Sequence, residues 1–398
     1  MSNATRRNLL LILGLAMVLA ACDDKEPTPG DAGVEPDYCQ TPECGSNTAV
    51  VNNYPIEALH LDGRPNSVGF SIIPTLYPSG TRLDIRQGEI VGVDPVAGNV
   101  VLRGRKVRNS WFRLRKVSSQ AGPDEEWKVH ITKVARVSLW PVGRQTEQVY
   151  AYELKVSGEG AFDTPPVCSK EWAWNSIEYN MHIEPGTWWR QIRDWLLAAN
   201  AFSLDIDISL DWRTRGRFAV LIAGETYATD TGAVLLTGEQ GKRWFNIACS
   251  GTALAKMKLM GYDPEEDRTT SDQRQATLRM ITARYCGTQS FTRTGQALIW
   301  QNAQKGFLRD PERVGAVEAL WNKDGATCLN QPRYKERDEV IQSCGKEIPT
   351  CDASIDVDSI PPGNEWGTWH VSTGEASLVR TASERRPDST PRAAGPIR

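Results

Sequence analysis

Residues 244–287, WFNIACSGTALAKMKLMGYDPEEDRTTSDQRQATLRMITARYCG, decide how the rest of the chain is arranged. The segment 245–249 is apolar and short enough for a buried strand. Ser250 or Thr252 can cap a helix whose Leu254, Met257 and Met260 share one face and whose Gly261 ends it. Ser271 or Asp272 can cap a second helix, and Asp272 with Gln275 comes close to a capping box. Its stripe is Leu278, Ile281 and Tyr285, with Gly287 at the position after the end. Cys249 and Cys286 then stand at the start of one helix and the end of the next. Two antiparallel helices would bring those positions together, which predicts a Cys249–Cys286 disulfide.

The strand, the sharp turn at Cys249-Ser250-Gly251 and the helix have the outline of a nucleophile elbow. That motif wants a glycine two residues either side of the nucleophile and a histidine base. For Cys249, Gly251 fits and Ile247 does not; for Ser250, Ala248 and Thr252 both miss. The four histidines, His60, His130, His182 and His370, all lie outside this stretch. No C-x-x-C pair, P-loop or dinucleotide fingerprint is present, so no catalytic residue, metal ligand or cofactor is assigned.

Upstream, the chain opens on a targeting signal, residues 1–21. Arg6 and Arg7 precede an apolar run, 9–19, that is shorter than the ~20 residues a spanning helix needs. It ends in Leu19-Ala20-Ala21-Cys22. This pattern resembles the lipobox of bacterial lipoproteins, which implies a diacylglyceryl thioether on Cys22 and cleavage before it. The implied partner is a membrane, reached through the N-terminal lipid. The expected location is the cell envelope, facing periplasm or cell surface.

Loss of Arg6 and Arg7 with the leader takes the formal charge from −3 to −5, so no global basic excess points to nucleic acid. Fourteen tryptophans supply either buried cores or sugar and peptide grooves. Setting Cys22 aside leaves Cys39, Cys44, Cys168, Cys249, Cys286, Cys328, Cys344 and Cys351. An even number in an exported chain reads as a disulfide framework whose connectivity the sequence leaves open.

Residues 22–48 form an acidic, proline-rich tether, in which Cys39 and Cys44 close a local loop. Residues 49–158 read as a β-rich domain. Leu83 and Ile85 alternate with Arg82, Asp84 and Arg86. Residues 89–93 meet 99–103 across a DPVAG turn, and Phe112 and Leu114 alternate with Arg113 and Arg115. A small antiparallel barrel or sandwich is the natural closure. This domain carries a basic run that includes Arg103, Arg105, Arg108, Arg113 and Arg115, interleaved with Trp111 and Phe112. It is a candidate anion-binding surface for an envelope glycan or protein partner, or else the solvated face of a half-buried sheet.

Residues 159–215 form a connector with an amphipathic helix over 187–199 and an alternating strand over 201–212. Residues 216–360 read as an α+β domain. Strands are expected over 217–223 and 233–236, a hairpin around Thr294-Gly295, and a strand pair around Lys323-Asp324-Gly325. Residues 361–398 read as a disordered tail.

Three blocks, FNIACSGTALAKM, LRMITARYCGTQSFT and EALWNKDGATCL, resemble the ADYC domain, a family of exported bacterial proteins and lipoproteins. In the motif that gives the family its name, this chain has Ala283-Arg284-Tyr285-Cys286, with Arg284 where the family has Asp. The resemblance implies a domain over roughly 216–351 and a structural role for Tyr285 and Cys286, and it implies no reaction. Two functions follow as expectations. One is a lipid-anchored envelope protein with a binding or structural role; the other is an extracytoplasmic hydrolase that uses paired carboxylates on glycan or other envelope substrates.

Overall fold

The computed structural model describes residues 49–372 apart from 52–53, 118–123, 142, 145, 159–166, 169–217, 229–231, 267, 288, 293–297, 305 and 307–312. The expected signal and lipidation site (1–22), the Cys39–Cys44 loop, the connector helix and strand, and residues 373–398 lie outside the described residues.

Eighteen strands are described, all in antiparallel pairs. They are β1 (Val50–Val51), β2 (Tyr54–Pro55), β3 (Leu59–His60), β4 (Phe70–Tyr77), β5 (Thr81–Arg86), β6 (Glu89–Val93), β7 (Val100–Leu102), β8 (Trp111–Lys116), β9 (Glu125–Ser138) and β10 (Gln148–Gly158). Then come β11 (Phe218–Ala223), β12 (Thr226–Tyr227), β13 (Val234–Leu236), β14 (Trp244–Cys249), β15 (Leu298–Asn302), β16 (Val314–Asn322), β17 (Gly325–Leu329) and β18 (Trp366–Val371). Besides a single helical turn at Gly238–Gly241, three helices of seven to eleven residues join them: α1 (Ala253–Leu259), α2 (Ser271–Ile281) and α3 (Arg337–Cys344). The fold is mostly antiparallel sheet with few helices, a sheet-rich variant of the expected α+β class.

Ten strands make one sheet in the order β3-β14-β11-β10-β9-β8-β4-β5-β6-β7. It curls until β5 nears β11 and β3 nears β4. Alternation decides what it encloses. Phe70, Ile72 and Leu76 of β4, Phe112 and Leu114 of β8, Trp127, Val129 and Ile131 of β9, and Leu221 and Ile247 farther along all point into one core. Between 131 and 133 the β9–β10 register slips, because Thr132 is an extra residue in β9. Its hydroxyl donates to the Glu153 carbonyl at 3.1 Å. Beyond this bulge the parity changes, so that Val134 faces the same core as Ile131 while Ala135 and Val137 face the other way.

β11 and β14 belong to the region expected as a second domain, yet they are hydrogen bonded into the sheet of the first. The expected division therefore does not fall at a break in the sheet. All six residues of β11 are buried, since both of its faces are covered. Its inner face meets the curled core, and Phe218, Val220 and Ile222 meet α1 and α2.

On the far side of the helices lies a four-stranded sheet in the order β15-β18-β16-β17. Trp321 and Trp366 face the helices from it, and Trp366 Nε1 donates to Thr277 Oγ1 on α2 at 2.9 Å. The layers are thus curled sheet, helices, flat sheet. β18 corrects the expected tail: residues 366–371 are an inner strand of the small sheet. Pro361-Pro362-Gly363-Asn364 forms a turn leading into it, with Trp366 and Trp369 buried. The turn of the hairpin expected around Thr294-Gly295 lies outside the described residues, and β15, which follows it, pairs with β18. The pair β16–β17 forms as expected.

Local signals held well in the central stretch. Thr252 caps α1 by accepting from Ala255 N at 3.3 Å. The α2 cap lies one residue earlier than expected: Thr270 and Gln273 make a full capping box. α2 ends at Ile281, and Ala283, at φ +47°, takes the left-handed position expected of Gly287.

Candidate functional site

Three disulfides are present among the described residues: Cys168–Cys249, Cys286–Cys344 and Cys328–Cys351, with Cα separations of 5.5, 5.6 and 4.8 Å. The expected Cys249–Cys286 bridge does not form. Cys249 shares its side of β14 with Phe245 and Ile247, so it points into the curled core, away from the helices. Cys286 packs in the helical layer on the other face of the sheet. The two sulfurs that linear spacing placed together thus belong to different cores.

The turn after β14 is therefore occupied by structural work. Cys249 is oxidised, Ser250 is 2 % exposed with its N–H on the Phe218 carbonyl at 2.8 Å, and Thr252 is spent on the helix cap. Of the described histidines, His60 packs edge-on against Trp244, His130 bonds Ser157 Oγ at 2.8 Å, and His370 bonds the Gln331 carbonyl.

The segment Ala283-Arg284-Tyr285-Cys286 is a packing hub. Tyr285 is fully buried, stacks on Trp321 at 5.1 Å, and donates to Glu318 Oε1 at 2.6 Å. Glu318 Oε1 also accepts from Arg333 Nε at 2.8 Å, and Arg333 N donates to the Tyr285 hydroxyl at 3.0 Å. Burial, followed by the Glu318 charge, pushes the phenol far above its usual range, so it remains a neutral donor. The turn of the β16–β17 hairpin rests on its backbone: Ala326 N donates to the Tyr285 carbonyl at 2.7 Å. Gly325, at φ +125°, lies where any Cβ would meet that peptide. Arg284, the second residue of the segment, is buried.

The basic run separates into two places. Arg113 and Arg115 stand on the outer face of β8 over Glu126, at 3.4 Å and 2.7 Å. Arg115, first, and Arg113 hold the Glu126 carboxyl below its ordinary range. Arg113 also donates to Tyr77 Oη at 3.0 Å, and Tyr77 stacks on Trp111 at 4.2 Å. Lys128 sits over the Trp111 ring at 5.2 Å. Arg103, Arg105 and Arg108 lie around the 3-10 turn Gly104–Val107, all exposed. The structure thus brings Arg113 and Arg115 together and sets the other three apart from them.

Arg103 leads to a feature that periodicity did not reveal, an open pocket of about 330 Å³ lined by Arg86, Gln87, Glu89, Val91, Val100, Arg103 and Glu265. It lies at the β5–β6 turn, where Gln87 and Gly88 both have positive φ, +53° and +68°, as a tight two-residue hairpin requires. A Cβ on Gly88 would stand 2.7 Å from the Leu221 carbonyl oxygen and collide with Lys258 Nζ. Glu265 clasps the turn, accepting from Gly88 N at 2.6 Å and from the Gln87 backbone. Burial, then the Asp263 charge, raises the Glu265 carboxyl above its usual range. Behind it, Lys258 is wholly buried and paired with Asp263. Glu89 takes the Arg103 guanidinium at 2.7 Å and Gly104 N at 2.5 Å. The only sequence signals for this site were the Gln87-Gly88 turn and the acidic loop at 263–266, far apart in the chain.

Among the described residues no group of His, Cys, Asp and Glu is arranged to hold a metal ion, and no helix is long and apolar enough to cross a membrane. No curated protein and no solved structure matches the chain significantly. One family model does match, over residues 211–335, a span from just before β11 to the Arg333 of the tyrosine hub, and it is that of the ADYC domain.

Proposed function

We propose that this chain is an exported bacterial lipoprotein, held to the cell envelope through lipid on Cys22, with a binding or structural role in place of catalysis. The observation that carries the non-catalytic part is the state of Cys249. Cys249, whose strand-turn-helix setting has the outline of a nucleophile elbow, is bonded to Cys168 inside a filled core. The bridges Cys286–Cys344 and Cys328–Cys351 suit an oxidising compartment outside the cytoplasm. The sequence Leu19-Ala20-Ala21-Cys22 supports the anchor.

Labelling with an alkyne fatty acid tests the anchor. The full chain should incorporate label and partition with membranes, and Cys22→Ser should abolish both. Label retained by the variant would overturn the lipid site.

The pocket at the β5–β6 turn favours the hydrolase reading in one respect, since Glu89 and Glu265 both line it. Both carboxylates are already engaged by backbone N–H groups, and Glu89 also by Arg103, so each has a structural task in holding its turn. Glycan hydrolysis by the oxidised full chain that is lost in Glu265→Gln would replace the binding role with this second one.

A further inference from the structure

The pocket at the β5–β6 turn holds unspent hydrogen-bond donors. Arg86 gives Nε to Asp84 Oδ2 at 3.2 Å, and Arg103 gives Nη2 to Glu89 Oε2 at 2.7 Å. Their remaining guanidinium N–H groups make no bond to the described residues. Each arginine is therefore aimed by one carboxylate and still presents donors at the mouth of a single cavity. The acids of that cavity are in the opposite condition. Glu89 is covered by Arg103 and Gly104 N, and Glu265 by the Gln87 and Gly88 backbone. Val91 and Val100 supply apolar wall, and the volume is at the lower end of those that hold small ligands.

We propose that this pocket binds a small organic anion, a carboxylate or phosphate ester with a short apolar body. Its charged head engages Arg86 and Arg103, and its body lies against Val91 and Val100. Two planar guanidinium groups match such a head better than they match a halide or a bare cation. The apolar wall distinguishes an ester or a fatty acid from inorganic phosphate. This gives the binding role proposed above a ligand class, and it stands whether or not Cys22 carries lipid.

Calorimetric titration of the full, oxidised chain in detergent tests it, with sodium hexanoate, hexyl phosphate, inorganic phosphate and hexyltrimethylammonium as probes. At least one of the two hexyl anions should bind saturably at one site, at least tenfold tighter than inorganic phosphate. Arg86→Gln and Arg103→Gln should each weaken it at least tenfold, and Lys346→Gln, exposed and outside the pocket, should leave it unchanged. Asp84 keeps a second cationic neighbour, Arg243 at 3.6 Å, so Arg86→Gln carries the test even if Arg103→Gln fails to fold. Absence of saturable binding, preference for the ammonium probe, or full affinity in Arg86→Gln would overturn the proposal. So would binding to phosphatidylglycerol vesicles with no binding of either free anion. A failure here leaves the fatty-acid labelling result untouched, so the two readings fail separately.

Discussion

The two sides of β11 face cores built on different rules. On the inner side, the curled sheet is filled by aliphatic and aromatic side chains that alternate along each strand, with one change of parity at Thr132. On the outer side, helices and a second sheet pack around buried ionic groups. Arg274 pairs with Glu225, which also takes Tyr227 Oη at 2.7 Å, and Arg333 pairs with Glu318. Lys258 pairs with Asp263, and Glu365 takes Tyr262 Oη at 2.6 Å and Gln273 Nε2 at 3.0 Å. The first core is fixed by period, and many sequences of the same pattern would fill it. The second is fixed by identity, because each buried charge needs its one partner.

That contrast can be broken by substitution. The largest effect should come from Cys168→Ser/Cys249→Ser, which opens a loop of 81 residues at the rim of the inner core. Chain entropy alone puts the loss at about 4 to 5 kcal/mol, readable as a fall in the urea midpoint under non-reducing conditions. Glu318→Ala should cost about 3 to 5 kcal/mol by stranding Arg333 and the Tyr285 hydroxyl, whereas Ile131→Val in the inner core should cost about 1 kcal/mol. Similar losses from the two would erase the distinction between the cores.

The pH dependence sharpens it further. Burial raises the Glu265 and Glu365 carboxyls, so their protonated forms favour the folded state. Their contribution is fully present below the ordinary glutamate range, about pH 4, and is lost as pH rises through their raised folded values. His60 and His130, held below their ordinary range chiefly by burial, act the other way over the same interval, so the readout is a difference: relative to Glu265→Gln/Glu365→Gln, the native chain should gain thermal midpoint on mild acidification from neutral pH. A difference between the two midpoints that stays constant from pH 7 to 5 would contradict the assignment. The smallest effects belong to local features. Thr270→Ala removes the α2 capping box for about 1 kcal/mol. Arg115→Ala, on a half-exposed pair with Glu126, should cost less than about 1 kcal/mol.

The same contrast explains what could be read from the sequence. Phe112 and Leu114 against Arg113 and Arg115, the turn at 94–98 and the cap at Thr252 are local patterns, and each was legible. Thr132 was not, because a single extra residue in a strand changes which neighbours face inward without leaving a compositional mark. Cys249 was misjudged because spacing along the chain says nothing about which face of a sheet a sulfur occupies. Residues 366–371 read as tail because the strand is short and follows two prolines, and only Trp366 and Trp369, once packed, reveal it. The pocket escaped the sequence reading, because the clasp of the Gln87-Gly88 turn by Glu265 joins residues from opposite halves of the chain.

The shared sheet also sets the order of events as the chain emerges. β10 and β11 are neighbours in space with residues 159–217 between them in sequence, and β3 pairs at residue 60 with residue 244 of β14. Until the later strands arrive, the edges of β10 and β3 stand open, and such edges recruit other chains. A chain made from its N-terminus would hold those edges exposed until residue 249 had emerged. Pairing over such separations is slow. Folding of this chain is thus gated by its middle, and a holdase that shields strand edges would act on it most during that interval.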